Sequence, residues 1–267
     1  MAIHETAFVD ASAEIGSDVE IGPYCIIGPN VTIGDGTLLR NNVTILECTR
    51  LGAGNEVYPF AVLGGAPQDL KFDGEQSWVE IGDHNVIREY VTINRGTALG
   101  GAKTVIGSGC LIMAYAHVAH DCIIGDEVII SNAGTLGGHI HVGRKAIISG
   151  LVAIHHFVTV GELAFLGGCS KVVSDAPPYM MSVGSPARVR ATNAVGLRRD
   201  GRSEESIAGL KSAYMRLFHK KANKTKAMEE LEQERDGLCD EVRTLLDFLQ
   251  ASNAGKKGRA LEAHRSA

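Results

Sequence analysis

The sequence predicts a mainly β chain: a parallel β-helix of hexapeptide repeats over residues 1–192, then a C-terminal α-helical domain over residues 193–267. Three observations lead there. An aliphatic residue recurs every six positions. Glycine is unusually frequent, at 32 of 267 residues, while aromatics are only 5%. The composition also changes class near residue 193. Residues 1–192 hold 11 Lys+Arg against 19 Asp+Glu, all seven prolines and 26 of the glycines. Residues 193–267 hold 15 against 12, contain no proline, and are rich in Glu, Lys, Leu and Ala.

The repeat runs from Ile3 through Val9, Ile15, Ile21, Ile27, Ile33, Leu39, Ile45, Leu51 and Val57 to Leu63. After a break, Ile81, Ile87 and Ile93 keep the phase. A second break shifts it by one, and the repeat then runs unbroken from Ile106 to Val172. Each hexad is a short strand plus a corner, and three hexads close an 18-residue triangular coil. The aliphatic residue points inward once per side, and stacked coils pair backbone to backbone at ~4.8 Å. Corners favour Gly, Asn and Asp, which tolerate positive φ, and this is the expected reason for the glycine excess. A narrow prism leaves no space for rings. The usual crossover rule predicts a right-handed connection. The hexapeptide pattern resembles that of the known left-handed exceptions, which implies a left-handed parallel β-helix.

In the tail, Asp200 or Ser203 is placed to cap a helix carrying Ile207, Leu210, Tyr214, Leu217 and Phe218 on one face. Met228, Leu231, Leu238, Val242, Leu245, Leu246 and Leu249 predict one or two more. Residues 253–267 read as a frayed, disordered basic end.

The net charge of −5 argues against a nucleic-acid binder. No stretch reaches the ~18 apolar residues of a transmembrane segment, and the N-terminus lacks the pattern of a signal peptide. Six scattered cysteines without a Cys-x-x-Cys pair read as reduced thiols of a cytoplasmic protein.

Six of the ten histidines lie between positions 117 and 156. Residues 18 apart stack on adjacent coils, so His120, Gly138 and His156 form one column and Asp121 and His139 another. His117 and His155 fall close to the same edge. Polar residues also occupy corners merely because corners are solvated, but histidine is the side chain suited to proton transfer near neutral pH. His120 beside Asp121 is a candidate general base. Gly138, one coil on, gives a ligand close access to a backbone N–H that suits an oxyanion. The remaining histidines can bind phosphate. Acyl transfer to a hydroxyl or amine without a covalent intermediate fits this set, and Cys122 reads as core. The breaks at 64–78 and 94–103 are loop excursions. At the first, the sixfold position falls on Asp69 and Glu75, and Gln68, Asp69 and Lys71 are placed to hold sugar hydroxyls and phosphate.

The segments Pro67-Gln68-Asp69-Leu70-Lys71-Phe72, Asn94-Arg95-Gly96-Thr97, His117-Val118-Ala119-His120-Asp121-Cys122, Gly137-Gly138-His139, Gly167-Gly168-Cys169-Ser170 and Gly196-Leu197-Arg198-Arg199 resemble those of the UDP-N-acetylglucosamine O-acyltransferases that begin lipid A synthesis. The resemblance covers residues 1–250. It implies a cytoplasmic homotrimer with sites in clefts between subunits, and no cofactor or metal. It implies transfer of an (R)-3-hydroxyacyl chain from acyl carrier protein to the 3-position of UDP-N-acetylglucosamine or its 3-amino analogue. His120 would be the base oriented by Asp121, and the Gly138 amide the oxyanion donor. Gln68, Asp69 and Lys71 would hold the sugar and the loop, and His117, His139 and His155 would line the sugar and phosphate path. Asn193 and Arg199 would lie near the nucleotide, and Gly168 at the position limiting acyl length, where glycine implies a longer chain. His156 stands where glutamine is common, with consequences for phosphate contacts or pH dependence. Ser185-Pro186 also departs from the pattern. The acidic carrier protein is expected to dock near Arg198, Arg199 and Arg202.

Three other readings compete. A zinc hydratase of carbonic-anhydrase type on the same fold would hold its metal with histidines from two subunits, drawn from His117, His120 and His139, but leaves the Gln-Asp-Leu-Lys loop and the helical tail unexplained. An ice-binding solenoid needs a threonine ladder that is not present. An acyltransferase using acyl-CoA or another sugar nucleotide is the nearest rival.

Overall fold

A computed structural model describes residues 2–219 and 223–264. It is a left-handed parallel β-helix with three faces, continued by a helical C-terminal part. The first face begins at Ala2–Ile3, the second at Phe8–Val9 and the third at Glu14–Ile15. Strands two residues long recur at each hexad, and every third one pairs, as Ile3 with Ile21 and Ile21 with Leu39. The sixfold aliphatics fill the prism. Ile27, Leu39, Ile45, Val57, Leu63, Ile87, Ile112, Ile130 and Leu136 are fully buried in one continuous core.

Both breaks leave the coil and return in register. Val57 pairs with Ile87, thirty residues on rather than eighteen, so the first excursion adds twelve residues. Ile87 pairs with Ile112, twenty-five residues on, so the second adds seven. Twelve is two whole hexads and keeps the aliphatic phase, whereas seven is one hexad plus one residue and moves it by one.

The expected reason for the glycine excess needs correction. Corners with positive φ are occupied in large part by other residues, among them Tyr24, Phe60, Tyr90, Asp121 and His139. Glycine is needed instead where coils approach. A Cβ on Gly34 would lie 2.5 Å from the Gly52 carbonyl carbon, and one on Gly143 would lie 2.5 Å from the Glu162 nitrogen. The rings sit outside the prism, where Phe60, Tyr90 and Tyr115 stack at 4.9 Å spacing on the corner between the first and second faces.

The parallel coils end in an antiparallel hairpin, Met180–Gly184 with Ala187–Thr192. Among the described residues four α-helices follow: α1 (Ala194–Arg199), α2 (Glu204–Phe218), α3 (Lys224–Gln233) and α4 (Asp240–Ala254). Ser203 caps α2 by accepting from the Ser206 N–H at 3.0 Å. Asp200 caps no helix start. It is the C-cap of α1, a helix the sequence reading did not foresee. Leu197, Ile207, Leu210, Leu231, Val242 and Leu245 form a second core that includes Leu163, Tyr179 and Met180 from the prism. Asp200 accepts from Arg144, Lys145 and Arg202. Burial opposes its ionisation, but Lys145, Arg144 and Arg202 together hold its carboxyl far below the usual range.

The expected frayed end is also corrected. α4 runs to Ala254, and residues 255–264 lie ordered on the last coil. Arg259 is buried, ion-paired to Glu262 at 2.8 Å and donating to the Val173 carbonyl at 2.9 Å. The Ala260 N–H donates to Asp175 at 2.8 Å. The basic residues misled because one of them is an internal clasp. Residues 265–267 lie outside the described residues.

Candidate active site

The corner between the second and third faces carries three stacked residues in the left-handed region, Asp121 (φ 60°), His139 (φ 59°) and Phe157 (φ 61°). This backbone turns the Asp121 side chain back toward His120. His120 Nδ1 lies 2.8 Å from Asp121 Oδ2, with the His120 side chain 12% exposed and the carboxylate fully buried. The carboxylate is fixed from the second excursion. Thr97 donates its N–H to Oδ1 and its hydroxyl to Oδ2, both at 2.7 Å. The Asp121 N–H in turn donates to Thr104 Oγ1 at 2.8 Å. With Thr97 donating to both carboxylate oxygens, the His120 contact is read with Nδ1–H as the donor, which leaves the Nε2 lone pair on the cleft side.

Nε2 faces Gly138. A Cβ there would lie 2.7 Å from Nε2 and 2.5 Å from Cε1, so only glycine fits against the ring. The N–H groups of Gly137 and His139 are spent on the ladder. Among the described residues, the Gly138 N–H makes no backbone hydrogen bond. The His139 ring is perpendicular to His120 at 5.1 Å between centroids and stacks on Phe157 at 4.4 Å. His156 lies edge-on to Phe157 at 5.4 Å and 3.8 Å from the His155 ring.

Both excursions close over this edge, leaving a cleft of about 280 Å³. From the coils it is lined by His120, Gly138, His139, His156 and Phe157. The loops add Asp69, Lys71, Glu75, Thr97 and Leu99. The sixfold positions that lost their aliphatics, Asp69 and Glu75, are thus the ones that bring carboxylates to the cleft. Asp69 closes a turn by accepting from the Lys71 N–H at 3.0 Å. Glu75 accepts from the Ala98 N–H at 3.1 Å and ties the loops together. Arg95 is buried beneath them. Its N–H donates to the Gly65 carbonyl at 2.8 Å, its guanidinium pairs with Glu47, and it lies 6.0 Å from the Phe72 ring.

Among the residues predicted from sequence, His120, Asp121, Gly138, His139, His156, Asp69 and Lys71 meet here. Gln68 is exposed on the loop beside Asp69. His155 adjoins His156, its Nδ1 3.1 Å from the His156 carbonyl. His117 is engaged by Thr92, with Nδ1 2.7 Å from Oγ1, and burial with the nearby His120 lowers its pKa. Gly168 lies on another corner, between the first and second faces, against the Gly150 carbonyl. Asn193 caps α1, accepting from the Gly196 N–H and donating to the Leu163 carbonyl. Arg199 is exposed on that helix. Arg198 and Arg202 are already paired, with Glu204 and with Asp200 and Glu241, which weakens the expected docking patch. Cys122 is buried and donates to the Gly137 carbonyl. Burial pushes its thiol up to about 12, so it is no nucleophile. Sequence reasoning missed Thr104, Leu99 and Phe157. Only Phe157 carried a usable signal, being 18 residues past His139.

Residues 175–258 match the family described as Udp N-acetylglucosamine O-acyltransferase, domain 2. Residues 2–34 and 103–138 match the bacterial transferase hexapeptide (six repeats) family. The chain is similar to a Synechocystis protein named acyl-[acyl-carrier-protein]--UDP-N-acetylglucosamine O-acyltransferase, at 46% identity over 79% of this chain and 76% of the relative. A protein of the same name from Thermodesulfovibrio yellowstonii is 47% identical over 95% of this chain and 98% of the relative. Among solved structures, a UDP-N-acetylglucosamine acyltransferase from Bacteroides fragilis superimposes with a TM-score of 0.89 at 40% identity. That match covers 93% of this chain and 96% of the other.

Proposed function

The chain belongs to the UDP-N-acetylglucosamine O-acyltransferase family, and from that premise we propose how its residues carry the reaction. The activity is acyl transfer from acyl carrier protein to UDP-N-acetylglucosamine, the first step of lipid A biosynthesis. In the proposed mechanism His120 Nε2 removes the proton of the acceptor 3-hydroxyl as that oxygen attacks the thioester carbonyl. The resulting imidazolium is held by Asp121 through Nδ1–H. The oxyanion is met by the Gly138 N–H. Collapse expels the carrier thiolate, which takes the proton from Nε2. The observation that carries this reading is the His120 Nδ1 contact to a buried, Thr97-fixed carboxylate, with Nε2 left facing the one residue that lacks a side chain.

Asp69, Gln68 and Lys71 hold the sugar in this reading, and His117, His139, His155 and His156 line the path to the phosphates. Gly168, Asn193 and Arg199 sit on other parts of the same chain, so they reach a site only from a neighbouring copy. That supports a homotrimer of parallel prisms, in which the corner bearing Gly168 faces another subunit's His120. The exposed Tyr24, Phe60, Tyr115 and Leu151 on that corner also favour burial against a second chain. The donor is an (R)-3-hydroxyacyl chain, long enough to use the depth that Gly168 leaves. A cytoplasmic location is consistent with six free cysteines.

The decisive experiment incubates the enzyme, and its His120→Ala variant, with UDP-N-acetylglucosamine or the 3-amino analogue and a series of 3-hydroxyacyl carrier proteins, and reads product masses and rates. The variant should lose about 10²–10⁴ in kcat. Retention of activity within about tenfold of the parent overturns the general-base assignment.

A further inference from the structure

The proton relay has the donor atoms of a metal site. One ligand atom each from His120, Asp121 and His139 lie within 4.8 Å of one another. Asp121 Oδ2 is 2.8 Å from His120 Nδ1 and 3.7 Å from His139 Nε2. A tetrahedral zinc ion with bonds of ~2.0–2.2 Å holds its ligand atoms roughly 3.4 Å apart. The edge to His120 must therefore open by about 0.6 Å, the edge to His139 close by about 0.3 Å, and the edge between the two imidazoles close from within 4.8 Å, so both rings must turn to take the ion.

We propose that His120, Asp121 and His139 bind a divalent transition-metal ion of the Zn²⁺ class, and that the ion switches the enzyme off. Two imidazoles and one carboxylate select Zn²⁺, Co²⁺ or Cu²⁺ over Mg²⁺ and Ca²⁺, which prefer all-oxygen sites. The outer contacts of a metal-binding carboxylate are already present, because Thr97 holds both oxygens of Asp121 and still leaves Oδ2 a bonding direction toward the imidazoles. His139 is held in place by its stack on Phe157. The His120 and His139 side chains are 12% and 23% exposed and line the cleft, which gives the ion an entrance and leaves its fourth position to water. His117, engaged by Thr92, is outside the cluster.

The inhibition follows from the tautomer. The ion occupies the Nδ1 lone pair in place of the proton that Asp121 accepts. A neutral imidazole bound through Nδ1 carries its proton on Nε2, so no lone pair faces the acceptor hydroxyl. Metal binding and base catalysis are then mutually exclusive. Binding stands on the geometry alone, whereas the inhibitory effect rests on the reading of His120 as the base.

The full-length enzyme, stripped with a chelator and dialysed, is titrated with CoCl₂ while the visible absorption of four-coordinate Co²⁺ is followed, and ZnCl₂ is then used to displace it. The expected result is one equivalent per chain, with affinity reduced on the order of tenfold or more in Asp121→Asn and in His139→Asn. It should be unchanged in His84→Asn, which alters an exposed histidine far from the cleft. ZnCl₂ should abolish turnover and a chelator restore it, while MgCl₂ does neither. Absence of the absorption, or its retention in both Asp121→Asn and His139→Asn, overturns the site and leaves the base assignment intact. Co²⁺ bound through these side chains with turnover unaffected overturns the switch and the base assignment together.

Discussion

Replacing Gly138 by alanine tests the whole construction of the site with one methyl group. Its φ is not among the positive values, so alanine is compatible with the backbone. The added Cβ would lie 2.5 Å from His120 Cε1 and 2.7 Å from Nε2. Carbon atoms in contact sit at ~3.5–4.0 Å, so the ring must retreat by about 1 Å. A misplacement of that size at a reacting group costs roughly 10²-fold, or about 2.7 kcal/mol of barrier. The methyl leaves the Gly138 N–H in place, so the loss reports the position of His120 rather than removal of the proposed oxyanion donor. Steady-state kcat/KM with acyl carrier protein and UDP-N-acetylglucosamine measures it, and a thermal melt confirms that the prism is folded. A folded variant with kcat/KM within about threefold of the parent would show that packing against Gly138 does not set the working position of His120.

Three further outcomes follow from the same structure. Thr97→Val deletes the hydroxyl bond to Asp121 Oδ2 but keeps the N–H bond, and should cost about 1.5–3 kcal/mol in urea unfolding, the range for a hydrogen bond to a charged group. Thr97→Ser should restore it, and equal stability of the two variants would refute the role. Arg259→Ala breaks the buried pair with Glu262 and the donation to the Val173 carbonyl. At about 3 kcal/mol for a broken buried pair, trypsin should cut after Lys256 or Lys257 on the order of 10²-fold faster, and an unchanged cutting rate would show that the tail is held by other contacts. Burial lowers the His117 pKa, with His120 adding to the effect. The unfolded chain therefore takes up the proton first as pH falls through about 6.5, and stability declines from there until the folded pKa is passed. The drop in urea midpoint between pH 7.5 and pH 5.5 should be smaller in His117→Asn than in the parent.

The fold was legible because one physical constraint recurs twenty-six times over: each hexad must put one aliphatic side chain into a prism too narrow for anything else. The same spacing carried the coil-borne half of the site. His120, Gly138 and His156, like Asp121 and His139, are brought together by counting in eighteens. The loop-borne half was not legible in this way. Residues 64–78 and 94–103 obey no period, so nothing in their order says that Thr97 holds both oxygens of Asp121 or that Glu75 binds the Ala98 N–H. The glycines misled in part, because their commonest duty is to let coils approach and positive φ can be borne by tyrosine or histidine inside a stacked corner. Arg259 misled for a related reason. Its charge reads as solvated until the partner, Glu262, and the coil carbonyl that receives it are seen together.

Loop-closure entropy shows what it costs this fold to host a chemical site. Neighbouring coils pair residues eighteen apart, and where the two excursions intervene the separations grow to thirty and twenty-five. Closure entropy rises only with the logarithm of the separation, so these insertions cost about 0.5 and 0.3 kcal/mol. The ladder on either side resumes in register and loses none of its core. A solenoid of this kind can therefore extrude a loop at any coil for less than the worth of a single hydrogen bond, and here both loops meet the coil that carries His120 and Asp121.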